Sequence, residues 1–259
     1  MPSIAGTNVL ILGGTSGIGY AVAQAALREG AAQVHISSSN STRVAATVSK
    51  LKSSSSSTTT GDVIGHTCDL STDDVERRLE ELLTAVTSSG DKLDHIIYTA
   101  GDALSIKNVT DPTFDLAYIQ KAGQVRFFAP LLLAKLAPRY LKPVYSSSIT
   151  FTSGTVAQRP MPDWTVIASY SAGMEGMVRS LALDLKPIRV NLVSPGAVGT
   201  EMWGDDAART EAMMGEIGRK MPLGKAGRPE EVAEAYVYFM RDWNATGSVV
   251  SSNSGGLLV

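Results

Sequence analysis

"LILGGTSGIGYAV", residues 10 to 22, joins an apolar run to a run of helical spacing through a glycine-rich turn. "NVLILGG" reads as a buried strand that ends in glycines. In "GYAVAQAALREGA" the Ala, Val and Leu recur at helical intervals, and Gly30 closes the segment. Gly13, Gly17 and Gly19 therefore stand between a strand and a helix. Glycines there permit a tight turn and let a pyrophosphate approach the backbone. The helix start supplies free N–H donors and the positive end of its dipole. A glycine motif alone reads equally as a structural turn, but the flanking strand and helix make it a dinucleotide cradle. The expected cradle residues are Gly13, Thr15, Ser16, Gly17, Ile18 and Gly19.

The alternation continues outward from this unit. "QVHISSSN", "VIGHTCDL", "LDHIIYTAG", "YSSSITFTSG" and "IRVNLVSPG" read as further strands, and "GSVVSSN" as a possible seventh. Helical patterns lie between them. One long helix is expected over about residues 114 to 138, and another runs through "VIASYSAGMEGMVRSLALDLK". Strand–helix alternation throughout predicts a single doubly wound parallel α/β sheet, Rossmann-like, with all 259 residues in one domain. "SSSSSTTTGD", residues 53 to 62, reads as a surface loop.

Composition narrows the function classes. Hydrophobic residues make up 44% and charged residues 19%, enough apolar content for a large core. The net charge of -2 offers no basic field for nucleic acid. The lone Cys68 excludes an internal disulfide framework and suits a reducing compartment. The first residues show no basic segment ahead of their apolar run, so no signal peptide is expected. "VRFFAPLLLAKLAP" is interrupted by Pro130, Lys135 and Pro138 and is too short to span a bilayer. These features predict a cytoplasmic protein with a small-molecule substrate. His35, His66 and His95 lack metal-ligand spacing, so no metal site is expected.

The second strand reports on the cofactor. A site for NAD places an acidic residue at this strand end to bind the ribose hydroxyls. Here the end reads Ser37, Ser38, Ser39, Asn40, with Arg43 following. Hydroxyls and a guanidinium suit a 2′-phosphate, so the expected cofactor is NADP(H). The alternative for Arg43 is a solvated helix residue.

The spacing G-x-x-x-G-x-G, together with motifs further along, resembles the short-chain dehydrogenase/reductase family over nearly the whole chain. "CDL", with Asp69 and Leu70, is similar to its adenine-contacting segment. "YTAG", with Ala100 and Gly101, stands where the family has "NNAG". "IRVNLVSPGAVGT", with Pro195, Gly196, Val198 and Thr200, is similar to its nicotinamide loop, and "GRPEEVAEA" to the start of its C-terminal helix. The resemblance implies a substrate lid at about residues 198 to 226. It also implies a homo-oligomer, dimer or tetramer, built through helices at about 114 to 138 and 165 to 185.

The family's catalytic set is Asn, Ser, Tyr and Lys, the last two spaced Y-x-x-x-K. That spacing occurs nowhere in this sequence. "AGMEGMVRSLALDL" resembles the family segment that follows the lysine, which puts Ser171 at the lysine position and Ile167 at the tyrosine position. Ser153 keeps the serine, and Arg126 falls at the asparagine. Tyr170 is off this register and reads as a packing residue.

Reducing a ketone leaves an alkoxide that needs a proton, whereas an iminium accepts hydride and becomes a neutral amine. A site without an acid therefore suits a C=N⁺ acceptor, with a carboxylate to stabilise the cation. Asp163 is the candidate carboxylate, Trp164 a candidate aromatic wall, and Arg126 a partner for Asp163 or for a substrate amide oxygen. The plain alternatives are a helix cap for Asp163, packing for Trp164 and a structural ion pair for Arg126. Met202, Met213, Met214, Met221 and Trp203 either line an apolar pocket or pack.

"GGTSGIGYAVA", "HIIYTAGDAL", "VRFFAPLLLAKLAP" and "DWNATGSVVSSN" further resemble a fungal branch of the family. That branch includes NADPH-dependent reductases of prenylated indole alkaloid assembly, of the malbrancheamide and paraherquamide type. Some of these reduce a cyclic iminium and guide a (4+2) cycloaddition, with an arginine and an aspartate similar to Arg126 and Asp163. The resemblance implies an iminium reductase. A redox-neutral cyclase, an ordinary carbonyl reductase using Tyr170 and a non-catalytic NADP-binding protein remain alternatives.

Overall fold

Seven parallel strands form one sheet in the order β3-β2-β1-β4-β5-β6-β7. The computed structural model describes residues 2–54, 61–204 and 206–259. Most of the low-complexity loop expected at 53–62 lies outside the described residues. The strands are β1 Asn8–Leu12, β2 Gln33–Ser38, β3 Asp62–Thr67, β4 His95–Tyr98, β5 Ser148–Thr152, β6 Arg189–Pro195 and β7 Val249–Ser252. The possible seventh strand is thus present, paired in parallel with β6.

Both faces of the sheet are covered, which is why the inner strands read as unbroken apolar runs. On one face, α1 Gly17–Arg28 packs against α8 Pro229–Arg241, with Val22, Tyr236 and Phe239 in the core. On the other, α3 Val75–Val86, α5 Ala129–Leu136 and α6 Thr165–Asp184 bury Leu79, Leu133 and Val178. Helix α2 Ser41–Ser54 runs between β2 and β3. The strand order reverses between β1 and β4, so a crevice opens beyond their C-terminal ends.

The helix expected over 114 to 138 is not uniform. It comprises α4 Leu116–Gly123, a π-helical turn Gln124–Phe128, α5, and a 3₁₀ turn Ala137–Arg139. Pro130 accounts for the break. A proline inside a helix has no N–H, and its ring crowds the carbonyl four residues back, here that of Arg126. The chain widens by one residue, and the Ala129 N–H donates to the Gln124 carbonyl. The lid region contains a 3₁₀ turn Glu201–Trp203 and helix α7 Ala207–Lys220, capped by Asp206 through the Arg209 N–H at 3.0 Å.

Among the described residues, no helix is long and apolar enough to cross a membrane, and no group of three or more His, Cys, Asp or Glu is placed to hold a metal. His35 instead meets His66 across β2 and β3, with Nδ1 and Nε2 3.0 Å apart. His95 is buried against the Ser148 hydroxyl at 2.9 Å. Burial, helped by nearby His66, lowers His35 to about 4; burial, then Arg189 and Lys142, lowers His95 to about 3.

Both rings are thus neutral in the folded state, while the unfolded chain protonates them near pH 6.5. Their contribution to stability is present above that pH and is lost as pH falls from about 6.5 to about 3. A Tm about 5–10 °C lower at pH 4 than at pH 7 is expected, with a shallower pH slope in His95→Gln. Thermal denaturation across this range checks it; a flat profile would contradict it.

Candidate active site

A cleft of about 640 Å³ opens at the crevice between β1 and β4. The glycine turn forms its floor. Gly13 has φ +84°, and a Cβ there would lie 2.6 Å from the Ala100 amide nitrogen. A Cβ on Gly19 would lie 2.2 Å from the Gly13 carbonyl oxygen. Only glycine lets β1, the turn and α1 close this tightly. Thr15, Ser16, Gly17 and Ile18 complete the floor. The N-cap Ser16 makes no side-chain capping bond, so its hydroxyl does not take up the donors of the first turn of α1.

Ser37, Ser38, Ser39 and Arg43 line the wall beyond β2, and Ser38 Oγ accepts from Arg43 Nη2 at 3.0 Å. Asp69 and Leu70 lie beside them. Two hydrogen bonds from Ser71, one backbone and one side-chain, hold Asp69 below the usual carboxylate range. Ala100, Gly101, Pro195 and Thr200 line the remainder. Thr200 Oγ1 is closed off from solvent and has no hydrogen-bond partner among the described residues. A glycine cradle, an uncapped helix start, an arginine beside serines and an orphaned hydroxyl fit a dinucleotide with a 2′-phosphate.

Three expected cofactor contacts fall outside the lining. Asn40 caps α2, its Oδ1 accepting from the Arg43 N–H at 2.9 Å. Gly196 packs on Asn253, whose Cα would lie 2.9 Å from an added Cβ. Val198 is buried and bridges to Gly227, while its carbonyl accepts from Trp203 Nε1 at 2.8 Å. Trp203 thereby ties the lid to the end of β6.

The other part of the cleft is walled by Arg126, Ser153, Ile167, Tyr170, Ser171 and Met174. Arg126 projects from the π-helical turn. Its Nε donates to Asp102 Oδ1 at 3.0 Å, its Nη2 to the Asp102 carbonyl, and its Nη2 also lies 3.8 Å from Met202 Sδ. Asp102 also lines the cleft, so a carboxylate faces it from the residue after Gly101.

The expected Arg126–Asp163 pairing is not what the structure contains. Asp163 is exposed, sits at φ 67°, and its Oδ1 accepts from Asn108 Nδ2 at 2.9 Å. Its carbonyl accepts from the Lys107 N–H at 3.0 Å. This turn directs Asp163 to the 107–108 loop. Trp164 is the N-cap of α6, half-buried, and like Asp163 does not line the cleft. Nor does Asp163 cap α6, which has no side-chain cap. The sequence reading missed Asp102; its signal was an acid directly after "YTAG", at the C-terminal end of a central strand.

Three hydroxyls at the cleft are already committed. Tyr170 donates to the Ile119 carbonyl at 3.0 Å and packs on Phe127 and Phe128, and burial raises its pKa. Ser153 donates to the Ser171 carbonyl at 2.9 Å. Tyr98 donates to the Val125 carbonyl at 2.5 Å, and burial pushes its pKa well above the usual value. Ile167 is apolar and buried. Burial pushes the Cys68 thiol up to about 11, which leaves it inert as a nucleophile. The cleft thus offers an arginine–carboxylate pair beside apolar surface, with its tyrosine protons held by backbone.

The sequence profile of the SDR-like Rossmann domain matches residues 2–259. A short-chain dehydrogenase/reductase named ATR9 from Stachybotrys chlorohalonatus is 42% identical, with 100% of each chain covered. The solved structure of the MalC reductase/Diels-Alderase from Malbranchea aurantiaca is 40% identical, with a TM-score of 0.91 over 99% of this chain and 97% of that one. A small-chain dehydrogenase solved in complex with NADPH is 28% identical, with a TM-score of 0.74 over 98% of this chain and 99% of that one.

Proposed function

This chain belongs to the short-chain dehydrogenase/reductase family, and on that premise we propose that it is an NADPH-dependent reductase of an iminium in a hydrophobic natural-product intermediate. The observation that carries the reading is the pairing of Arg126 with Asp102 in a cleft whose Tyr98, Ser153 and Tyr170 hydroxyls donate to backbone carbonyls. A ketone would need a proton, and these three hydroxyls are committed to backbone. An iminium needs none, and gains from a carboxylate beside it. In this reading Asp102, which lines the cleft and pairs with Arg126, takes that role rather than Asp163. Arg126 fixes the carboxylate through Nε and orients a substrate carbonyl with Nη1.

Bound NADPH supplies the hydride. The Gly13–Gly19 turn and the start of α1 would hold its pyrophosphate, and Ser38 and Arg43 its 2′-phosphate. Arg43→Ala is expected to weaken NADPH binding about tenfold or more and to leave NADH binding unchanged, read by fluorescence titration. Equal losses for both cofactors would remove Arg43 from the 2′-phosphate site.

The test of the whole reading is cofactor oxidation with a cyclic imine and a matched ketone. Oxidation on the imine alone supports it; oxidation on the ketone alone overturns it. The similarity to a reductase/Diels-Alderase favours a coupled cyclisation as a second activity, since a cycloaddition depends on holding reactants in a reactive geometry and needs no acid. Cyclised product formed without NADPH would show that activity directly. Leu131 on α5 and Leu183 on α6 are exposed at 45% and 73%, which supports a homo-oligomer through this helical face.

A further inference from the structure

We propose that Tyr98 is the positioning residue for Arg126: its hydroxyl takes up the carbonyl that the π-helical turn leaves open and so fixes the turn that aims the guanidinium into the cleft. The inference rests on the role given to Arg126 above. In an α-helix the Val125 carbonyl would accept from the Ala129 N–H. Here that N–H donates to Gln124 instead. The next amide in line belongs to Pro130, which has no proton to give. The Val125 carbonyl is thereby orphaned inside the protein, where an unpaired acceptor is costly. Tyr98 supplies the missing donor at 2.5 Å, from an element distant in sequence.

Tyr98 is well placed to act as a fixed post. It is the last residue of β4, paired with Leu12 of β1, and is 2% exposed. Its ring packs against Phe151, and its carbonyl accepts from Thr152 Oγ1 at 2.7 Å. On the other side of the turn, Gln124 Nε2 donates to the Thr72 carbonyl at 3.0 Å. The turn is thus pinned at two points, with Arg126 just beyond both. A family asparagine at position 98 would be too short for this span. Tyrosine at 98 and arginine at 126 therefore work as a pair, with Pro130 creating the carbonyl that joins them.

The test uses the arginine itself and needs no substrate. In protein labelled with ¹⁵N-arginine, the Arg126 Nε–H resonance is identified by its absence in Arg126→Lys. In Tyr98→Phe, which removes only the hydroxyl, this resonance is expected to shift or broaden as the Asp102 contact loosens. The buried Arg189, which donates to the Tyr145, Phe239 and Asp242 carbonyls, keeps its own resonance and reports that the fold is intact. Tyr98→Met, similar in length and without a hydroxyl, serves if the Phe variant does not fold. An unchanged Arg126 resonance in a folded variant overturns the proposal, and so does equal disturbance of Arg189, which would mean a general packing role. Absence of imine turnover in the unmodified protein would instead count against the reductase reading and leave this result standing.

Discussion

Alanine at position 19 is expected to abolish NADPH binding, with affinity falling at least a hundredfold and Tm by about 5–10 °C. The new methyl would sit 2.2 Å from the Gly13 carbonyl oxygen and 2.4 Å from Thr99 Oγ1. The first of these is backbone in the turn after β1, so no side-chain rotation relieves it. Helix α1 must move away from the turn, and its free donors move with it. The two losses are linked because the same close approach holds the helix on the sheet and exposes its N-terminus. Gly176→Ala is the control. It lies inside α6, where an added Cβ meets nothing within 4 Å, and there alanine should stabilise by about 0.5–1 kcal/mol. Retention of NADPH affinity within tenfold in Gly19→Ala would mean that the pyrophosphate does not rest on α1.

The second large effect separates two carboxylates. Asp102→Asn is expected to lower imine reduction about 10²–10³-fold with NADPH affinity unchanged, whereas Asp163→Asn should change it less than about threefold. Asparagine keeps the shape and loses the charge. At position 102 that charge faces the cleft and is held by Arg126. The side chains of this pair are 24% and 34% exposed, so solvent screens them only in part. At position 163 the carboxylate accepts from Asn108 on the exposed loop, and an amide oxygen does nearly as well. Arg126→Ala should resemble Asp102→Asn. Single-turnover rates with saturating NADPH make the comparison. If Asp163→Asn gave the larger loss, the substrate would have to lie outside the cleft as it stands, with the Asn108 loop displaced.

The architecture was legible because its signals are local. Strand–turn–helix alternation is written in hydrophobic period, and the glycine turn is written in the few residues whose backbones must touch. Ser38 and Arg43 could be read for the same reason: they lie five residues apart at one strand end, and geometry hardly intervenes. Asn40 shows the limit even at this range. The same residue type suits a phosphate contact and a helix cap, and the cap at Arg43 took it.

The site beyond the cofactor was a different matter. Sequence determined that an arginine stands in the segment read as one long helix, that a proline follows it at position 130, and that no Tyr-x-x-x-Lys pair exists. Tertiary structure alone decided which carboxylate the arginine meets. Asp102 follows β4 and Asp163 precedes α6, and sequence spacing does not show which of them Arg126 reaches. Arg126 leaves a π-helical turn and meets Asp102 just past β4, while Asp163 sits in a left-handed conformation with its carboxylate on Asn108. Backbone departures of this kind arise where long-range contacts satisfy groups the local chain has left unpaired, as Tyr98 does for Val125. A local pattern carries the need for a partner, but its identity depends on which distant segment the fold brings within hydrogen-bond reach.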